Sequence, residues 1–376
     1  MAPRGGIAVD CAPTMPLRVL RAAVIGLIGL TIAALGLHAL GCLAVFPPGS
    51  TLSGVTYLSA SWWTPVILPL AVGGWALHRR GLAAALIGAF AVVIGVAGDY
   101  SLRRRPPSPA GVEQKLSVVA WNVRGYRDGR AEVLRALKNI GADVALLSEN
   151  VLSPEEREQV RKEVLPAEFQ MGRSGETAII SGYPILDFKE VDLPDRQVSL
   201  FGPNSLEARD NAPFRSFVHA LVDVGGLPVN VISVRMIAGR PPANGPWQQI
   251  RWGLYLLRAQ ADEFAFFENY LRQLNGPFVF GGDLNATPPS FGVRRLSAVA
   301  ADSYLALHTV GRPTFRVSAP VSRLDYLFAS RELTPVRSAR LDVMGSDHFP
   351  VYAEYRLSPD RMQESPSRTS AALPRP

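Results

Sequence analysis

The sequence predicts an α/β domain preceded by a bundle of three membrane-spanning helices, and three observations carry that expectation. No Asp, Glu, Lys or Arg occurs between Arg21 and Arg79, and Leu82 to Gly98 is again uncharged. From Val112 to about Leu357, apolar runs of strand length alternate with helix-like segments such as Ala131 to Ile140 and Gln248 to Leu274. Five short polar segments follow or sit within the strand-like runs, at strand ends, where ligands of α/β sheets bind.

A helix needs about 20 apolar residues to cross the hydrocarbon of a bilayer. Residues 1–102 therefore read as a membrane region with spans at about 19–46, 55–77 and 82–98. Pro47-Pro48-Gly49-Ser50 and His78-Arg79-Arg80-Gly81 separate them. A cleaved signal peptide is disfavoured, because the first apolar run is too long for an h-region. Arg4, Arg18, Arg21, Arg79 and Arg80 fall on one side of a three-span arrangement and Arg103 to Arg105 on the other. The larger set places the N-terminus in the cytoplasm and the rest of the chain outside.

Residues 103–112, with three arginines and three prolines, read as a linker. Residues 113–357 can bury one large core. Within them Pro194 to Pro213 reads as a surface loop of the length of a lid, and residues 358–376 as a disordered tail. Both cysteines, Cys11 and Cys42, precede the α/β region, which has neither thiol nor disulfide.

The net charge of +7 belongs to the N-terminal part. Residues 1–112 carry eight Lys/Arg against two Asp/Glu, whereas residues 113–358 carry 28 of each. A formally neutral domain lacks the charge excess of a non-specific DNA binder, so nucleic acid is the less favoured partner. The basic excess sets topology and faces anionic lipid, which makes the bilayer a partner.

The five segments are Ala120-Trp121-Asn122, Leu147-Ser148-Glu149, Gly282-Asp283-Leu284-Asn285, Arg323-Leu324-Asp325-Tyr326 and Ser346-Asp347-His348-Phe349-Pro350. Phosphoester hydrolysis needs a hard cation on the phosphoryl oxygen, an activated water and positive charge on the developing oxyanion. Asn122, Glu149, Asp283, Asn285 and Asp347 supply oxygen donors, and no His/Cys cluster accompanies them. That chemistry fits Mg²⁺ or Mn²⁺ and not structural zinc. Taken singly, Asn122, Asn285 and Asp325 are ordinary turn or cap residues; the five together are not.

In order and spacing, the segments resemble those of the endonuclease/exonuclease/phosphatase superfamily over about Lys115 to Tyr355. The resemblance implies two packed mixed β-sheets flanked by helices, a four-layer sandwich, and a bacterial membrane-anchored member. It implies Glu149, Asn122 and Asp347 as metal ligands. Asp283 would orient or deprotonate the attacking water, and Asn285 would hold water and phosphate. His348 would donate to the phosphoryl oxygen, with Asp325 fixing its tautomer. Of the other histidines, His38 and His78 lie at the spans, and His219 and His308 read as structural.

Two positions depart from the family pattern. The strand Val229 to Val234 is followed by Arg235, where the family usually has a phosphate-binding His, and Ser148 stands where it commonly has Gln. Arg235 either replaces the donor, since a guanidinium grips phosphate oxygens bidentately, or merely pairs with a nearby carboxylate. The function expected is therefore a membrane-anchored Mg-dependent phosphohydrolase or phosphodiesterase at the outer face of the cytoplasmic membrane, on a phosphorylated and lipid-linked substrate. An extracytoplasmic endonuclease or exonuclease and a catalytically decayed membrane scaffold are the alternatives. Oligomeric state leaves no trace in the sequence.

Overall fold

A computed structural model describes residues 17–43, 63–101, 114–150, 152, 155–156, 158, 168–171, 176–194, 215–238, 245–315 and 322–357. The expected linker at 103–112, the tail at 358–376 and all but the first residue of the expected lid at 194–213 lie outside them.

The three expected membrane spans are corrected to one. Among the described residues only α1, Leu17–Cys42, is long and apolar enough to cross a bilayer. Helix α2, Thr64–Ala76, has 13 residues with Pro69 inside it, a rise of roughly 20 Å. Helix α3, Arg80–Ala97, has 18 residues, roughly 27 Å against a hydrocarbon thickness of about 30 Å. The uncharged runs are longer than the helices within them, and residues 44–62, which complete the first two runs, lie outside the described set. The three helices share a core of Ile28, Leu35, Ile67, Leu86 and Val93.

The α/β region forms two six-stranded sheets. One contains β1 (Gln114–Asn122), β2 (Val144–Ser148), β3 (Glu168–Met171), β4 (Thr177–Ser181), β11 (Leu333–Arg340) and β12 (Val351–Leu357), in the order β11-β12-β1-β2-β4-β3. The other contains β5 (Ile185–Asp192), β6 (Ser216–Val224), β7 (Leu227–Ser233), β8 (Phe278–Asp283), β9 (Ala301–Asp302) and β10 (Asp325–Ala329), in the order β5-β6-β7-β8-β10-β9. Each is mixed, with a central parallel pair, β1 with β2 and β7 with β8, between antiparallel neighbours.

Alternation along the strands builds the layers. Leu116, Val118 and Ala120 of β1 meet Val218, Ala220, Val231 and Val279 between the sheets. The odd-numbered face of β1, Val119 and Trp121, packs under α4 (Arg130–Ile140) through Val133, Leu134 and Leu137. The outer face of the second sheet, with Phe217, Ile232, Phe280 and Phe328, packs under α5 (Gly245–Arg272) through Phe264, Phe267 and Leu271. A short helix α6 (Phe291–Ser297) follows β8, capped by the Ser290 side chain. The expected four layers are thus present: helix, sheet, sheet, helix.

This topology positions the site. The C-terminal ends of the parallel strands β1, β2, β7 and β8 reach one rim, and the antiparallel β10 and β12 begin there. Asn122 lies opposite Ser148, and Asp325 opposite Asp283.

Candidate active site

Each side chain at the rim is delivered by the end of a buried strand. Asn122 ends β1, Glu149 follows β2, Arg235 follows β7, Asp283 ends β8, Asp325 starts β10 and His348 precedes β12. Gly282, at φ 139°, lets β8 approach β7 closely, since a Cβ there would collide with the Val234 carbonyl. Glu149 and Asn285 hold left-handed backbones, φ 53° and 46°, each a strain of about 1–3 kcal/mol of the kind that concentrates at functional sites. Fixed bonds hold them there: Gly125 N donates to Glu149 O at 2.8 Å, and Gln260 Nε2 to Asn285 O at 3.0 Å.

Direct contacts join most of the expected residues. Asn122 Nδ2 donates to Glu149 Oε1 at 3.0 Å and to Asp283 Oδ2 at 2.9 Å, while its Oδ1 accepts from Arg124 N at 2.9 Å. In this arrangement Asn122 spaces two carboxylates through its amide hydrogens and turns its oxygen to the backbone. Asp283 Oδ1 accepts from Asn285 N at 2.9 Å, and Asn285 Nδ2 donates to Met236 O at 2.9 Å, so the Asn285 side chain braces the β7 exit. His348 Nδ1 meets Asp325 Oδ2 at 2.8 Å, which leaves Nε2 as the ring nitrogen directed elsewhere. The His348 backbone is tied down by Trp121 Nε1, donating to its carbonyl at 2.9 Å. Asp347 sits at the outer edge, 34% exposed, facing Arg124 Nε at 3.4 Å.

Charge and burial set the proton positions. Burial opposes a charged His348, but the Asp325 and Asp283 carboxylates outweigh it and push the imidazole up to about 9. Asp283 is pushed up to about 6 by burial, with Asp325 adding to the rise and His348 and Arg235 working against it. Burial also opposes ionised Glu149, yet Arg235, the Asn122 amide and His348 hold it below the usual carboxylate range. A carboxyl raised toward the proton-accepting range beside one held lower is the division of labour that acid–base chemistry uses.

Among the described residues the rim offers one close cluster of metal-binding atoms and, apart from it, two more exposed carboxylates. Asp283, Asp325 and His348 have ligand atoms within 4.8 Å of one another, but all are buried and His348 already uses Asp325. Glu149 and Asp347 are the open carboxylates, 33% and 34% exposed. A hard cation that keeps several waters fits the open carboxylates better than the closed cluster. Oxygen donors at that edge fit Mg²⁺ or Mn²⁺.

Arg235 pairs with carboxylates: Nη2 with Glu149 Oε1 at 2.8 Å and Nη1 with Glu176 Oε1 at 3.2 Å. Glu176 was not legible as a site residue, since it precedes β4 in an unpatterned stretch. Arg215 and Glu263, which continue these contacts, were missed as well. Glu263 did leave a signal: an acid between Gln260, Phe264 and Phe267 on the apolar stripe of α5 needs a buried partner. Thr314, whose Oγ1 accepts from Leu324 N and Asp325 N at 3.0 Å each, has no sequence signature.

The sequence over residues 119–348 matches the Endonuclease/Exonuclease/phosphatase family. The chain belongs to that family, whose members hydrolyse phosphoester bonds. No curated protein sequence matches it. Among solved structures it is similar to an endonuclease/exonuclease/phosphatase from Bacteroides vulgatus, at 16% identity and TM-score 0.49, covering 65% of this chain and 100% of that one. It is also similar to D. rerio TDP2 complexed with single strand DNA product, at 18% identity and TM-score 0.48 over 64% and 98% of the two chains. A mannosyl-6-phosphatase from Bacteroides thetaiotaomicron matches at 17% identity and TM-score 0.48 over 64% and 99%. Likeness at these levels carries nothing about substrate.

Proposed function

We propose that the chain is a membrane-anchored, Mg²⁺-dependent phosphohydrolase that acts on a lipid-linked phosphate or diphosphate at the outer face of the cytoplasmic membrane. The observation that carries the reading is the single rim where Asn122, Glu149, Arg235 and Asp283 are linked by hydrogen bonds and the hydrogen-bonded Asp325–His348 pair brings its ligand atoms within 4.8 Å of those of Asp283. When bound, Mg²⁺ supplies Lewis-acid polarisation of the phosphoryl oxygen. Glu149 and Asp347 would hold it, with Asn122 orienting Glu149. Asp283 takes the proton of the attacking water, with Asn285 fixing that carboxylate through its backbone N–H. His348 donates from Nε2 to a phosphoryl oxygen, and Arg235 neutralises the developing charge.

The anchored part of the proposal rests on exposure and on contacts between the two regions. Among the described residues, 13 of the 18 large exposed hydrophobic side chains lie on or directly beside α1, α2 and α3, including Leu30 at 71% and Leu68 at 65%. Apolar surface on that scale calls for a cover, and a bilayer provides one. Residues 113–357 form the catalytic unit in this reading, and it is seated on the helices. Asp99, just past α3, pairs with Arg323 at 3.0 Å, two residues before Asp325. Arg294 of α6 donates to Gly41 O near the end of α1 at 3.4 Å. Such a seat keeps the rim close to the membrane end of α1, where lipid headgroups are concentrated. With α1 as the single crossing, Arg79 and Arg80 move to the far side, and the orientation rests on the flanks of α1 alone: Arg4, Arg18 and Arg21 precede or open it and no Lys or Arg follows it before Arg79, which favours a cytoplasmic N-terminus and a catalytic unit outside.

Detergent-solubilised full-length protein tests the reading against polyprenyl and phospholipid phosphates in mixed micelles and duplex DNA, with and without Mg²⁺. Release of phosphate from a lipid, faster than nicking of DNA and dependent on Mg²⁺, is expected. Plasmid nicking abolished by Glu149→Ala, with no lipid hydrolysed, favours the nuclease; no turnover on any substrate favours the decayed scaffold. A reporter active only outside the cytoplasm, fused after Ser358, reads the orientation.

A further inference from the structure

Behind Arg235 runs a chain of alternating charges that the reaction scheme above does not use. Glu149, at the open edge, accepts from Arg235 Nη2 at 2.8 Å, and Arg235 Nη1 meets Glu176 Oε1 at 3.2 Å. The other oxygen of Glu176 faces Arg215 Nη1 at 3.4 Å. Arg215 then donates from Nε to Glu263 Oε1 at 2.6 Å and from Nη2 to the Arg235 carbonyl at 3.0 Å. Glu263, on α5 and 1% exposed, closes the chain by accepting from Ile237 N at 2.7 Å. The backbone on both sides of Met236 is thereby clamped, and the Arg235 side chain is gripped from behind. The inner end of the chain is the most buried and the outer end the most open, 1% exposed at Glu263 and 33% at Glu149.

The grip is asymmetric in a way that matters for a cation site. Arg235 has one nitrogen on Glu149 and another on Glu176, and its Nε is buried without a partner. Its guanidinium is therefore not placed to maximise its own hydrogen bonding. Arg235 Nη2 and Asn122 Nδ2 both lie on Glu149 Oε1, so a cation drawn to that carboxylate competes with Nη2 for its charge, while Nη1 has its own partner in Glu176. We propose that Glu176, backed by Arg215 and Glu263, is a positioning residue. It retains Arg235 when Glu149 turns to the cation, so that Nη2 exchanges a carboxylate oxygen for a phosphoryl oxygen. This rests on the reading that Glu149 holds the cation. In the metal-free protein Arg235 competes with the cation for Glu149, and Glu176 moderates that competition by sharing the guanidinium.

Mn²⁺ binding to full-length protein in detergent, followed by isothermal titration without substrate, tests the idea. Arg235→Met removes the competitor and tightens Mn²⁺. Glu176→Gln releases Arg235 wholly onto Glu149 and weakens Mn²⁺ by at least about twofold, the lower bound for coupling within one ion-pair network. In the Arg235→Met background, Glu176→Gln changes nothing, because Glu176 acts through Arg235. Equal weakening in both backgrounds overturns the proposal and leaves Glu176 a bulk charge. Glu176→Asp, one methylene shorter, serves the same cycle if the Gln variant does not fold. Glu149→Ala with unchanged Mn²⁺ affinity instead sinks the metal assignment, an outcome separate from the coupling.

Discussion

Asp325→Asn is the most informative perturbation, because it removes one charge from a buried pair and keeps the shape. Asp325 is fully buried and His348 is 5% exposed, so solvent does little to screen them. The imidazole stands at about 9 against an ordinary 6.5, and each pKa unit is worth about 1.4 kcal/mol, so the folded site favours imidazolium by about 3 kcal/mol. Because the folded value is raised, this stabilisation is fully present below pH 6.5 and is lost as pH rises toward 9. In chelator-treated protein, Asp325→Asn should therefore lower the His348 pKa, followed by NMR of the imidazole protons. It should also flatten the loss of thermal stability across that alkaline window. With Mg²⁺ restored, turnover should fall by about 10²-fold or more, the usual contribution of a positioned proton donor. An imidazole still titrating near 9 in the variant would refute the reasoning and assign the rise to Asp283.

Other predictions follow from the same geometry. Glu149→Ala should weaken Mn²⁺ by more than the roughly 10- to 100-fold that losing an outer-shell partner costs, while Asp283→Asn should keep the metal and lose about 10²–10⁴ in kcat; near wild-type rates in both would dismiss the site assignment. Arg323, 3% exposed, is held by both Asp302 oxygens at 2.7 Å and by Asp99 at 3.0 Å. Asp302→Ala should cost about 3–5 kcal/mol by leaving the guanidinium half-neutralised, and Asp99→Ala roughly 1–3 kcal/mol, both read by thermal unfolding; a loss near zero for Asp302→Ala would contradict the pairing. His219 is pulled down to about 4, by burial first, and its Nε2 must donate to Asn230 Oδ1 at 2.9 Å. Its folded value being depressed, stability should be complete above pH 6.5 and fall by about 3 kcal/mol toward pH 4; His219→Gln should flatten that acid limb in thermal melts, and an unchanged limb would assign it elsewhere.

Much of the fold was legible in the sequence because its signals are local. Period-two alternation on β1 separates Leu116, Val118 and Ala120 from Val119 and Trp121, and the structure sends those sets to different cores. The site residues were legible for a related reason: a polar residue at the end of a buried strand marks the edge of an apolar run, as Asn122 and Asp283 do at the close of β1 and β8 and Asp325 does at the start of β10. Helix length was less legible, since hydropathy marks where charge is absent and not where backbone hydrogen bonding stops. Three expected spans therefore correspond, among the described residues, to one helix long enough to cross a bilayer.

The sequence by itself determined the alternating strand-like and helix-like runs, the polar residues at strand ends and an apolar N-terminal region, all fixed by residue type and short-range period, while the sandwich of mixed sheets and the Asp325–His348 pair were expectations that the family resemblance of the five segments implied. Only the tertiary structure decided which charges neutralise which. Glu149 and Arg235 are 86 residues apart, and Arg235 and Glu176 are 59 apart. No periodicity records such pairs. They are set by the packing of two sheets and the common rim of their strands, where an ion pair forms because burial forbids its members to stand alone.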